Sequence, residues 1–541
     1  CRARYVQSCG HKKSRVPNLT KFDILGCSTG TAKSLYKQRE FWTPAWTNRN
    51  AAATTLMELE SWLVCAALDA AAVVYYLTGV TRRRSGRRLP PGPTALPVVG
   101  NMLSLRGDMH HALARLAREY GPVMTLKLGP VTAVVVSSSD ATREAFTKHG
   151  RRLAARAVLD ATRAVSGRSM IWLPSSDQRW KTLRGVVATY VFSPRRAASA
   201  SARHTGEEVD VGQVVYGGVI NLVSSSFFST NVVDVGAESA RGLREAVEEV
   251  ILAIGKPNVS DLIPFLRPLD LQGWRRWTTK RYDKVLGILD GIIDSRLADA
   301  SDTTEKHDDF LDSLVELMTA GKIARDNVTT IMFDVLAART DTISITVEWA
   351  MAELLRNPSV MAKVRAEMKD TVGGKETIDE DDTEKLPYLQ AVVKEAMRLH
   401  PVAPILIPHR AEEDGVEIDG YAVPKGSTVI LNAWAIMRDP AAWERPDEFM
   451  PERFLHRKKE VDFRRKDFEF ILFGTGRRLC PGLPMAERVV PFILVSLLHA
   501  FHWRLPNGMS ADELDVTEKF TTVNVLVQPL KVIPLSASHK N

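Results

Sequence analysis

The stretch Phe473–Gly482, FGTGRRLCPG, sets one cysteine among three glycines, two arginines and a proline. Cys480 has no thiol close to it in the chain. The other four cysteines, Cys1, Cys9, Cys27 and Cys65, all lie in the first 65 of 541 residues. The long body that follows therefore has neither a disulfide framework nor a multi-cysteine zinc site and must rest on its core. With 45% hydrophobic and 25% charged residues, its composition is that of an ordinary globular protein. Gly474 and Gly476 permit tight turns and close approach of the backbone to a flat or bulky group. Pro481, Gly482 and Pro484 open an apolar helix expected from Met485 to about His502, which puts Cys480 just before a helix N-terminus. Free N–H groups and the positive dipole end stabilise a thiolate there. Such a thiolate suits a single strong metal bond. Other uses stay open on local chemistry. A phosphate cradle would lack the Lys-Ser/Thr ending of a P-loop. A nucleophile would lack a base, because His499 and His502 lie far along the next helix. An inert buried cysteine is the plainest use.

The net charge of +8 admits nucleic acid, an anionic membrane surface or an acidic partner. No zinc-finger spacing or aromatic–basic RNA signature is present, so nucleic acid is set aside. Residues 1–56 are polar, without periodicity, and read as a non-native or disordered leader. Met57 starts the recognisable pattern. Residues 57–81 read as a membrane anchor, in which Ser61–Thr81 carries one charge, Asp69. Basic residues follow it from Arg82, so the positive-inside rule keeps the body on the cytosolic side. Residues 82–93 read as a basic, proline-rich hinge and 94–541 as one large domain. Within that domain a helix is expected at His110–Tyr120, strands at Val123–Leu128 and Val131–Ser137, and further strands at Val416–Ile418 and Thr428–Leu431. The rest is mostly helical, giving a mainly α body with a small sheet near its start.

The pattern Phe-x-x-Gly-x-Arg-x-Cys-x-Gly, met by Phe473, Gly476, Arg478, Cys480 and Gly482, resembles the haem-binding loop of the cytochrome P-450 family. Three further segments resemble that family in its order. They are Glu395 and Arg398 in KEAMRLHP, PERF with Arg453, and WKTLR with Trp180 and Arg184. The wording near the C-terminus is most similar to plant microsomal members of the geraniol-hydroxylase, terpenoid-oxidising group. The resemblance implies the P-450 fold, with haem b between a long central helix and the cysteine-loop helix. It implies Cys480 as axial ligand of the haem iron. Trp180, Arg184, His409 and Arg478 would face the haem propionates, and Glu395, Arg398 and Arg453 would brace the loop from behind. Residues Phe333, Ala337, Val402, Leu406, Thr522 and Val523 would line the substrate pocket.

A helix from about Asn327 to Asn357 has no internal glycine or proline and spans roughly 45 Å. It holds AARTDTIS, Ala337–Ser344, where Ala338, Asp341 and Thr342 fit the family's oxygen-side motif. Asp341 and Thr342 would manage protons. Arg339 stands where glycine is expected and Ile343 where a hydroxyl is usual. Its side chain either points away from the haem or obstructs the oxygen groove. Pro491 within the helix after the cysteine and a short 193–210 stretch are further departures. The implied activity is a membrane-anchored haem-thiolate monooxygenase of the endoplasmic reticulum. It would hydroxylate a hydrophobic small molecule, a terpenoid, with O2 and NADPH electrons delivered by a flavoprotein reductase. The alternatives are a catalytically impaired haem-binding relative and an O2-independent isomerase or dehydratase.

Overall fold

The computed structural model describes residues 88–190, 206–229, 246–302 apart from 248, 254 and 257, 309–456, 463 and 467–536. The expected leader, the anchor 57–81, most of the hinge and most of the 193–210 stretch lie outside the described residues. Where the hinge is described, it lies against the body. The Pro91 carbonyl accepts from the Thr125 N–H at 2.7 Å, and any side chain at Gly92 would collide with the Thr125 carbonyl oxygen.

The central element is the helix Arg325–Arg356. Most of its residues are buried, as in a helix packed on nearly all sides, with one strip at Ala338 and Thr342 left open. Its neighbours are the helices Val211–Phe228, Trp274–Asp302, Pro387–Leu399 and Leu483–Ala500. Hydroxyl residues fit its interior because each is satisfied locally. Thr340, Thr342, Ser344 and Thr346 all donate to the carbonyl four residues back. Pro358 ends the run and opens the next helix, Pro358–Thr371.

The largest sheet has five strands in the order Val123–Leu128, Val131–Val136, Thr428–Leu431, His409–Arg410, Ala155–Arg156. The first two form an antiparallel hairpin across Gly129–Pro130. Val131–Val136 then pairs parallel with Thr428–Leu431. A sheet confined to the start of the domain was thus too local an expectation. Ala133–Val136 are fully buried, so this strand needs a second neighbour, and the chain supplies it almost 300 residues later.

The helix after the cysteine runs Leu483–Ala500 without a break at Pro491. It ends two residues before the expected His502, because Phe501–Arg504 forms a strand antiparallel to Lys531–Ser536. Among the described residues two helices, Val211–Phe228 and Leu483–Ala500, are long and apolar enough to cross a membrane. Both pack against the central helix.

Candidate active site

The cysteine loop is built on two glycines. Gly474 and Gly476 have φ of 73° and 63°, the left-handed region that side chains disfavour. The turn they allow returns the Cys480 N–H to the Phe473 carbonyl at 2.9 Å. Leu406 lies against the loop beside Gly474, and Phe146 lies beside Gly476. Cys480 is a free, half-buried thiol. Burial pushes its pKa above the ordinary value. The N–H groups of Gly482 and Leu483 and the guanidiniums of Arg184 and Arg339 act in the opposite direction. These donors and cations offset burial only in part, so deprotonation of the sulfur would wait for a coordinated metal ion.

Behind the loop, Glu395, Arg398 and Arg453 come together with almost no exposure. Arg398 forks onto Glu395 through Nε and Nη2 at 2.8 and 2.9 Å, and the Arg453 Nε donates to the same carboxylate at 2.9 Å. The remaining donors of both arginines go to carbonyls of residues 437–448. The Met450 N–H completes the carboxylate's set. One buried carboxylate thus ties the helix Pro387–Leu399 to the meander that leads into the cysteine loop.

A cluster of cations occupies the other flank. Arg184 donates to the Leu479 carbonyl, next to the cysteine. Arg478 donates to the carbonyls of Ala154, Met170 and Leu173, and its guanidinium lies 4.9 Å from the Trp180 ring centre. Each Nη keeps one N–H for another acceptor. Arg156, which sequence reasoning missed, joins them from the edge strand paired with His409. Its Nε is buried without a partner. Burial and the charges of Arg478 and Arg184 push Arg156 down to about 9. Arg478 is pushed down to about 10 by burial first and Arg184 second. His409 is held neutral, its pKa depressed to about 3 by burial and by Arg156, while its ring Nδ1 donates to the Leu153 carbonyl. Guanidiniums massed at the cost of mutual repulsion, one with an orphaned N–H, fit a dianionic group. A haem carries two carboxylates on one edge and an iron that a cysteine can hold, so the residues present fit it.

On the central helix, Ala338 and Thr342 are exposed, and Ala337 and Asp341 half-exposed, although the turns before and after are buried. This strip therefore fronts a space rather than a packed neighbour. Thr342 donates to the Ala338 carbonyl at 3.0 Å. Arg339 is on the adjoining buried face. Its guanidinium lies 4.6 Å from the ring centre of Phe227, and its Nη1 is buried without a partner. Burial depresses its pKa to about 10, and a negative charge on Cys480 would act against this.

Phe333 meets Tyr282 edge-on with 4.8 Å between ring centres. The Val402 carbonyl accepts from the Asn524 N–H, which places Thr522 and Val523 near it. The Thr522 hydroxyl is engaged by the Ile251 carbonyl. Sequence reasoning also missed Asp334, a buried carboxylate that takes the Met170 N–H at 2.8 Å and anchors the loop before it.

The sequence matches the profile described as Cytochrome P450 over residues 90–532. This chain belongs to the cytochrome P450 family. It is accordingly a haem-thiolate monooxygenase with the mainly α P450 fold. Among its relatives, Cytochrome P450 76M5 of Oryza sativa subsp. japonica is 60% identical, over 88% of this chain and 99% of the relative. Oryzalexin D synthase of the same organism is 58% identical, over 88% and 99%. Ent-cassadiene C11-alpha-hydroxylase 1, again from that organism, is 57% identical, over 88% and 98%.

Proposed function

We propose that this P450 hydroxylates a hydrophobic terpenoid, using O2 and electrons that a flavoprotein reductase takes from NADPH. The observation that carries the substrate class is the 57% identity, over nearly the whole relative, to a protein named for hydroxylating ent-cassadiene at C11. Haem, when bound, supplies the insertion of one oxygen atom into a C–H bond.

The chain's own residues hold and orient. Cys480 ligates the iron, and the Gly482 and Leu483 N–H groups balance the charge on its sulfur. Trp180, Arg184 and Arg478, with Arg156, receive the propionates; His409, whose Nδ1 N–H is spent on the Leu153 carbonyl, donates to them only when its Nε2 is protonated. Asp341 and Thr342 hold and pass protons on the exposed strip. Thr342 can exchange its bond to the Ala338 carbonyl for one to a substrate or water. Phe333, Ala337, Val402, Leu406, Thr522 and Val523 line the pocket. Most are apolar, which suits a hydrocarbon skeleton and excludes water. Residues 57–81 anchor the protein in the endoplasmic reticulum membrane, and the basic residues after them keep the body cytosolic.

The reading is tested with purified protein, a reductase, NADPH and 18O2. A terpenoid hydrocarbon such as ent-cassadiene is expected to gain one labelled oxygen atom while NADPH is consumed. Conversion without NADPH would point to an isomerase or dehydratase. A haem spectrum with no product from any terpenoid in a panel would refute the substrate class.

A further inference from the structure

Far from Cys480 in the sequence, the start of the helix Met109–Tyr120 meets the strand Glu518–Phe520. There His110 and His111 both direct Nε2 at one carboxylate oxygen. The distances to Glu518 Oε2 are 3.4 Å from His110 and 3.6 Å from His111. The three ligand atoms lie within 4.8 Å of one another.

These separations have a specific meaning. Four ligands at about 2.05 Å around a tetrahedral ion are separated by about 3.3 Å. Two of the three edges of the cluster nearly match that length. The donor set, two imidazoles and one carboxylate, is one that zinc accepts while keeping a fourth position for water. The carboxylate is positioned as ligating carboxylates are. Its other oxygen, Oε1, is held by His400 Nδ1 at 2.7 Å and approached by Arg438 at 3.5 Å. His400 is in turn fixed by Glu353 at 2.7 Å and stacked on Trp349. The Trp434 indole N–H reaches Oε2 at 3.2 Å, which leaves that oxygen a second lone pair. His110 is fully buried and its backbone carbonyl takes the Asn432 amide at 3.0 Å. His111 is 44% exposed and offers an entry path from solvent.

We propose that His110, His111 and Glu518 form a binding site for a borderline divalent cation, zinc above all, outside the haem centre. Bound metal ties the first helix of the described body to the strand that leads into Thr521–Asn524. Oxygen-preferring magnesium does not compete, because two of three ligands are imidazoles. Arg438 faces the uncoordinated oxygen and sets a limit on affinity without filling the site.

The experiment uses tag-free, haem-loaded full-length protein equilibrated by dialysis against zinc chloride, with metal counted by mass spectrometry. One zinc per chain is expected, unchanged by excess magnesium, with a rise in melting temperature. His111→Ala replaces a partly exposed side chain and is expected to fold with the same haem spectrum. It should weaken zinc binding by about tenfold or more and abolish the rise in melting temperature. Equal zinc binding by wild type and His111→Ala would overturn the proposal. So would wild-type protein that takes up no stoichiometric zinc.

Discussion

At the scale of single residues, Arg339 is the position that most separates this chain from the pattern it resembles. Its guanidinium lies 4.6 Å from the Phe227 ring centre and also acts on the Cys480 thiol, at the cost of a buried charge with an orphaned N–H. Arg339→Met keeps the apolar stem and removes that charge. It is expected to raise stability by about 1–3 kcal/mol, read by denaturant unfolding. Coupled NADPH turnover is expected to stay within about twofold, a change of under about 0.5 kcal/mol in the barrier. A large gain in turnover would mean that the guanidinium obstructs oxygen after all. Arg453 is the opposite case, because its charge is fully paired. Arg453→Met leaves Glu395 short of a partner in a buried setting, a loss of about 3–5 kcal/mol. Most of the purified variant is expected to lack haem, measured as haem per chain. Full haem content would show that the loop needs no brace.

At the scale of elements, two of the three buried carboxylates of the central helix are held well above the ordinary carboxylate range. Asp334 is pushed up to about 7, by burial above all, and Glu348 likewise to about 7. A folded pKa above the unfolded one means that the folded protein binds the proton more tightly. Stability from these groups is therefore present below about pH 4 and lost as pH rises toward 7. Asp334→Asn removes one of the two and keeps an oxygen for the Met170 N–H. The fall in unfolding free energy between pH 4 and 7 is expected to shrink by up to about 3 kcal/mol. An unchanged pH profile would mean that Asp334 is not desolvated. The helix itself was legible from its lack of glycine and proline, and so were the hairpin strands from their β-rich runs on either side of Gly129–Pro130. The end of the helix after the cysteine was not. Nothing in FHWR reveals that Lys531–Ser536 waits to pair with it.

Across the whole molecule, legibility followed distance along the chain. The cysteine loop carries its chemistry within ten residues, and Glu395 with Arg398 within one helical turn. Both were readable because neighbours in sequence are neighbours in space. Arg156 was not, since alone it is one arginine among many. It gains meaning from the pairing of Ala155–Arg156 with His409–Arg410 and from the guanidiniums of Arg184 and Arg478. Asp334 and the His110–Glu518 contact were hidden for the same reason, joining segments 164 and 408 residues apart. The common requirement is a thiolate on iron, toward which the loop glycines, the brace and the cation cluster all converge. The carbon-monoxide difference spectrum of the reduced protein reads that bond directly. Wild-type protein is expected to give the long-wavelength band of thiolate-ligated haem, and Cys480→Ala to lose it. The same band in the alanine variant would contradict the account.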